Sequence, residues 1–194
     1  MKFYGSFTSP FVRHCRIVLN ELSAQGLIEC EFIETDMAGS TKLSPTQKVP
    51  VLVDGELSLT DSASILKYLR EKSGQAFLQA IEDFELFNQV NTVLDASVNV
   101  FMIERLDGLG PEDSKYLKRH NSRIASALDI INKSQSLPVA LPMSDGELRL
   151  ACYLDWAAFR GRIDITRWPR LAAFRDMARD WPAFAETAPP ADAP

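Results

Sequence analysis

The run Lys48-Val49-Pro50-Val51-Leu52-Val53-Asp54-Gly55-Glu56-Leu57-Ser58-Leu59-Thr60-Asp61-Ser62 concentrates the chemistry of this chain. Pro50 opens an apolar stretch where a missing N–H is tolerated only at a strand's start or edge. Asp54-Gly55 between two short apolar runs signals a tight hairpin. Asp61 or Ser62 then caps a helix whose Ile65, Leu66 and Leu69 recur at helical spacing. The product is an edge that offers backbone N–H groups and a carboxylate-hydroxyl pair beside Pro50, which suits a peptide-like ligand. A second hydroxyl stands at Ser9, where Ser9-Pro10 reads as an N-cap followed by proline in the first helical position.

The elements that must position these groups follow from the pattern on either side. Residues 2–6 read as a strand, and the helix opened by Ser9 runs to about Ala24, where Gly26 ends it. Ile28, Cys30 and Phe32 alternate as a second strand, whereas residues 39–47 are too polar and punctuated to assign an element. With the hairpin and its helix, residues 1–75 form a βαβ-ββα sandwich with one parallel crossover and one antiparallel hairpin. Beyond Gly74 no strand signal recurs, so residues 80–194 are expected to be all-helical. Ile81, Phe84, Phe87, Val90, Val93, Leu94, Val98 and Phe101 mark one face, and Tyr116, Ile124, Leu128 and Ile131 a helix packed on it. Ser144 and Glu147 form a capping box, with Met143 and Leu148 as its hydrophobic staple, ahead of a buried helix to about Arg160. Trp168-Pro169 opens a last helix, and Thr187 to Pro194 is expected to be a disordered tail.

Composition narrows the function classes. The 194 residues are 46% hydrophobic and 24% charged, and no segment approaches the ~20 apolar residues of a membrane span. The formal charge of −5, with arginines scattered, makes nucleic acid an unexpected partner. Cys15, Cys30 and Cys152 are widely spaced with no Cys-x-x-Cys pair, and His14 and His120 have no paired acid or nucleophile nearby in sequence. Neither a disulfide framework nor a metal site is expected, and the N-terminus lacks the pattern of a signal peptide, which makes the cytoplasm the expected location.

Five pieces, taken in order, carry a resemblance that spans nearly the whole chain. They are Ser9-Pro10-Phe11-Val12-Arg13, Ser44-Pro45 through Lys48-Val49-Pro50-Val51-Leu52, Asp61-Ser62 followed by Ile65, the capping box at Ser144, and Trp181-Pro182-Ala183-Phe184. The chain resembles the cytosolic glutathione transferase superfamily, and most of all its small bacterial members with a serine after strand one. The resemblance implies a thioredoxin-like glutathione-binding domain over 1–75, an all-helical transferase-type domain over 80–194, and a homodimer. Its helical domain is shorter than is usual there. Three departures stand out: Ser44-Pro45 for Asn-Pro, Asp61-Ser62 for Glu-Ser, and Gln47 where glycine is common.

Redox relatives of this topology carry Cys-Pro-x-Cys where this chain has Ser9-Pro10-Phe11-Val12, so dithiol exchange is excluded at that position. Ser9 has two readings, a plain helix cap or a donor to the thiolate of bound glutathione. A charge-assisted hydrogen bond of ~1.5–3 kcal/mol would lower a thiol pKa by about one or two units from ~8.5. By resemblance Pro50 is cis, Val49 pairs its backbone with the cysteinyl part, Asp61 and Ser62 hold the γ-glutamyl group, and Phe11 is counted among the glutathione contacts. Lys48 either pairs with the glycyl carboxylate or is a solvated lysine. Arg13 either lines the entrance or faces solvent or the neighbouring domain, and Cys15 reads as packing. Val98, Phe101 and Met102 are candidate contacts to an apolar electrophile. The expected activity is conjugation of glutathione, as co-substrate, to small electrophiles; the alternatives are a binding module with little turnover, or a glutathione-dependent isomerase or dehalogenase.

Overall fold

Along the first strand Phe3 and Gly5 are buried while Lys2 is exposed, the two-residue alternation of a sheet with one covered face. The computed structural model describes residues 1–134, 137 and 141–190. They form two compact units, Met1–Gln79 joined by the chain from Arg179 onward, and Ala80–Ala178.

The first unit is built on a four-stranded sheet of β1 (Lys2–Gly5), β2 (Glu31–Glu34), β3 (Val51–Asp54) and β4 (Leu57–Leu59), in the order β2-β1-β3-β4. β1 and β2 are parallel; β3 is antiparallel to both β1 and β4. Helix α1 (Pro10–Ala24) buries Val12, Cys15, Ile17, Val18 and Leu22. Each large apolar side chain of this kind contributes roughly 1.5–3 kcal/mol on burial. A Cβ on Gly5 would meet Val12 Cγ1 at 2.5 Å, so glycine is what lets the end of β1 approach α1. Helix α3 (Ser62–Lys72) buries Ile65, Leu66 and Leu69, as its spacing requires.

Several boundaries differ from the sequence reading. The alternation from Ile28 yields a strand only from Glu31, and the hairpin loop is Gly55-Glu56, with Asp54 still paired to Leu57. Residues 39–47, to which the sequence assigns no element, overlap helix α2 (Met37–Leu43), whose N-cap Asp36 accepts from Gly39 N at 2.8 Å. Its Gly-Ser-Thr centre has poor helix propensity; the cap and a buried Ser40 compensate.

The second unit is helical: α4 (Ile81–Asp107), α5 (Lys115–Lys133), α6 (Asp145–Phe159), a 3-10 turn (Ile165–Arg167) and α7 (Pro169–Arg179). α6 is buried all round, from Leu148 through Ala157, and packs against α4. The capping box is complete: Glu147 N donates to Ser144 Oγ at 3.3 Å and Ser144 N to Glu147 Oε2 at 2.7 Å. It is closed off by Asp83, whose Oδ1 accepts from Gly146 N at 2.9 Å and from the Ser144 hydroxyl. The expected α4 face is correct for Phe87, Val90, Val93 and Leu94, but Ile81 and Phe84 stand 69% and 46% exposed. On α5 Tyr116 is exposed and Leu117 takes the buried place. Among the described residues no helix is long and apolar enough to cross a membrane, and no group of three or more His, Cys, Asp or Glu is placed to hold a metal.

The C-terminal chain departs most from the sequence division. The helical unit ends at Ala178 rather than continuing to residue 194, and a further helix, α8 (Pro182–Ala185), packs on α1 in the first unit. Thr187, placed by sequence in a disordered tail, is fully buried. The tail's residues 191–194 lie outside the described residues. Arg13 explains the packing: it is 4% exposed, its guanidinium lies 3.9 Å over the Phe184 ring, and it donates to Phe184 O at 2.9 Å. It therefore does not face solvent.

Candidate functional site

Strand register decides what the sheet brings together. Ser9 follows the C-terminal end of β1. Tyr4 pairs with Val51, so the N-terminal end of antiparallel β3, and Pro50 before it, lies at that same end. Leu59 pairs with Leu52, which returns the chain to that end as it enters Asp61 and Ser62. Three segments, the first some forty residues before the other two, thus meet at one end of the sheet, and two of them are helix N-termini. The α1–α3 contact ties them: the Cys15 thiol points at Ser62 O, 3.8 Å away.

Each group is held by local chemistry. Ser9 Oγ accepts from Val12 N at 3.3 Å, and Ser9 O accepts the first helical bond from Arg13 N at 2.9 Å. The cap bond uses the hydroxyl oxygen as acceptor and leaves its proton for donation. Asp61 is the cap of α3 and Ser62 the first helical residue, which resolves the sequence alternative. Asp61 Oδ1 accepts from both Ala63 N (2.8 Å) and Ser64 N (3.3 Å), so capping engages one carboxylate oxygen while the side chain stays exposed. Ser62 is buried. The positive end of each helix favours an anion beside these hydroxyls.

The Val49-Pro50 bond is cis. Val49 is half-buried and makes no backbone hydrogen bond among the described residues. Its backbone is therefore available to pair with an extended ligand. Lys48 is exposed, and Phe11 is half-buried in the first turn of α1. Gln47 adopts φ 55°, the left-handed region that glycine occupies without cost.

Sequence reasoning missed the residues that hold this loop. Buried Ser40 has Met37 O (2.8 Å) and Gln47 O (3.1 Å) within reach of its hydroxyl, and Thr46 N donates to Ser44 Oγ at 3.2 Å. The signal available was Ser44-Pro45-Thr46, a serine turn. The hairpin is fastened from behind: Asp54 Oδ2 accepts from Tyr68 O–H at 2.6 Å and from Lys72 Nζ at 2.8 Å. The Lys72 and Tyr68 hydrogen bonds hold the Asp54 carboxyl below its usual range, and the Asp54 bond raises Lys72.

Other titratable groups serve packing. His14 is fully buried in α1, and Cys15 packs as expected. Burial, with the Asp54 and Glu31 charges adding, pushes the Cys30 thiol up to about 11, which suppresses thiolate chemistry there. His120 is buried on α5 beside the Tyr116 ring, and burial, with Arg123 nearby, lowers its pKa. Val98, Phe101 and Met102 on α4 are half-buried, and Phe101 meets Trp156 edge-on at 6.0 Å.

Residues 3–77 match the family described as glutathione S-transferase, N-terminal domain. A glutathione S-transferase of Triticum aestivum is 27% identical over 198 residues, covering 96% of this chain and 92% of that protein. A probable maleylacetoacetate isomerase of Vibrio cholerae is 26% identical, covering 96% of this chain and 94% of that protein. Among solved structures, a glutathione S-transferase from Methylobacillus flagellatus with glutathione bound superposes with a TM-score of 0.81 at 24% identity, covering 97% of this chain and 99% of that one. At that identity the superposition speaks to fold: a thioredoxin-like domain followed by a helical one. The N-terminal domain thus matches the glutathione S-transferase family model, and the chain as a whole is similar, nearly end to end, to proteins named as glutathione transferases.

Proposed function

We propose that the chain is a glutathione-dependent enzyme that ionises the glutathione thiol with Ser9 and delivers the thiolate to a small, largely apolar electrophile. The observation that carries this reading is the convergence of a helix-capping hydroxyl, an unpaired backbone at a cis-proline strand start, and a second capped helix N-terminus at one end of the sheet. The named relatives support it: proteins called glutathione S-transferase and maleylacetoacetate isomerase match nearly end to end.

In this reading glutathione lies extended along Val49, whose backbone pairs with the cysteinyl residue. The γ-glutamyl carboxylate sits at the N-terminus of α3 beside Ser62, and Asp61 faces the ammonium with the oxygen that capping leaves over. Lys48 reaches the glycyl carboxylate, and Phe11 borders the thiol. The Ser9 proton points at the sulfur; hydrogen bond and helix dipole together stabilise thiolate over thiol. Ser9→Ala should raise the apparent thiol pKa by about one to two units with glutathione affinity changed little. A pH–rate profile that superimposes on the parent's sinks the role of Ser9.

A second reading keeps the thiolate and changes its fate. The isomerase-named relative favours it: in this reading the thiolate adds to an activated double bond, the adduct rotates about the resulting single bond, and elimination re-forms the double bond and returns the thiolate. Product analysis separates the two, since a transferase consumes glutathione and an isomerase returns it. A homodimer completes the proposal, supported by Ile81 and Phe84 exposed together at the start of α4. Sedimentation as a single species of twice the chain mass is expected, and a monomer contradicts it.

A further inference from the structure

The segment Phe184–Thr187 ends a chain of contacts that leads back to Ser9. Thr187 Oγ1 donates to Phe184 O at 2.9 Å and accepts from Arg13 Nε at 3.3 Å. Arg13 also donates to Phe184 O and stacks on the Phe184 ring. One turn on, Arg16 donates to Thr187 O at 3.4 Å. Its guanidinium covers the rings of Phe7 (4.5 Å) and Phe32 (5.1 Å), which are themselves 5.0 Å apart. Burial, with Arg13 beside it, lowers the Arg16 pKa, while Glu34 works against that shift.

These contacts surround the loop that carries Ser9. Phe7 lies two residues before Ser9, inside the turn closed by Ser9 N donating to Ser6 O at 3.1 Å. Arg13 lies four residues after it and donates its own N–H to Ser9 O. Both flanks of Ser9 are therefore fastened to the C-terminal segment by arginines, one through hydrogen bonds and one through a ring stack. An arginine is suited to this because its planar fork serves a carbonyl and a hydroxyl at once while its face covers a ring. Thr187 and Phe184 are fully buried, which a surface tail would not require.

We propose that Phe184–Thr187 is a positioning clamp for the Ser9 loop, acting through Arg13 and Arg16, so that the C-terminal segment sets the aim of the Ser9 hydroxyl. The consequence for the thiol rests on the function proposed above; the clamp itself does not. Thr187→Val keeps shape and removes the hydroxyl that Arg13 Nε donates to, and Thr187→Ser restores it. Hydrogen exchange in the ligand-free protein should accelerate about tenfold at the Ser9, Val12 and Arg13 amides in Thr187→Val and return to the parent rate in Thr187→Ser. With glutathione added, the ultraviolet absorbance of bound thiolate should titrate about half a unit or more higher in Thr187→Val, with little change in affinity. Exchange equal to the parent's at those amides overturns the clamp. Faster exchange with an unmoved thiolate titration overturns its role in aiming Ser9. A parent protein with no thiolate signal at any pH contradicts the proposed function, while the exchange data still decide the clamp. Should Thr187→Val fail to fold, Arg16→Met, which leaves Arg13 and Thr187 in place and uncovers Phe7, is read by the same two measurements.

Discussion

Two kinds of helix start occur in this molecule, built from the same residues and used differently. At Ser144 the cap is closed: the hydroxyl, the Gly146 N–H and the Asp83 carboxylate satisfy one another, and a Cβ on Gly146 would stand 2.6 Å from Asp83 O. At Ser9 and Asp61 the caps are open, with each side chain satisfying backbone N–H groups while keeping a proton or an oxygen unused at the end of the sheet. Capping chemistry alone thus does not mark a site. What marks it is a cap whose second valence faces outward, next to another of the same kind.

The largest effect that separates the two belongs to the closed cap. Gly146→Ala forces a methyl against Asp83 and should cost about 3 kcal/mol of stability, read from the urea midpoint, with glutathione affinity of the folded protein unchanged. A matching loss of affinity would break the distinction between the units. Next is the alkaline limb. Tyr153, buried in α6 with Ser97 Oγ 3.3 Å from its hydroxyl, has its pKa pushed by burial up to about 12. The unfolded phenol ionises near ~10, so the unfolded state loses its proton first. Stability is full below that pH and falls by about 1.4 kcal/mol per unit up to pH ~12. Tyr153→Phe should flatten this slope in urea titrations across the window, and an unchanged slope contradicts it. Smaller, and sharpest for the comparison, is a pair of equal deletions. Ser144→Ala and Ser9→Ala each remove a cap hydroxyl and should each cost about 1 kcal/mol of stability. Only Ser9→Ala should move the apparent thiol pKa, and a shift in both or in neither erases the contrast.

Much of the fold was legible because its signals are local. Ser9-Pro10, Asp54-Gly55, Asp61 ahead of Ile65-Leu66, and Ser144 with Glu147 each act within a few residues, and each element formed within a residue or two of its expected place. Helix α2 was hidden because Gly39, Ser40 and Thr41 argue against a helix, and what holds it is Ser40 reaching Gln47, a contact that exists only once the loop has folded. Thr187 was read as tail because its partner, Arg13, lies 174 residues earlier in the chain. Ile81 and Phe84 were placed in the core because periodicity reports an apolar face and not what covers it. Convergence of the site followed from register, which the alternating pattern fixes to one face but which only the paired strands place along the edge.

Calorimetric titration with glutathione of the parent and of Asp61→Ala tests the central claim most directly, since every role assigned to Ser9, Val49, Asp61 and Ser62 requires the tripeptide at that end of the sheet. The account predicts binding with a dissociation constant between micromolar and low millimolar, weakened about tenfold in Asp61→Ala, a loss of about 1.4 kcal/mol. No heat of binding in the parent, or equal affinity in Asp61→Ala, contradicts it.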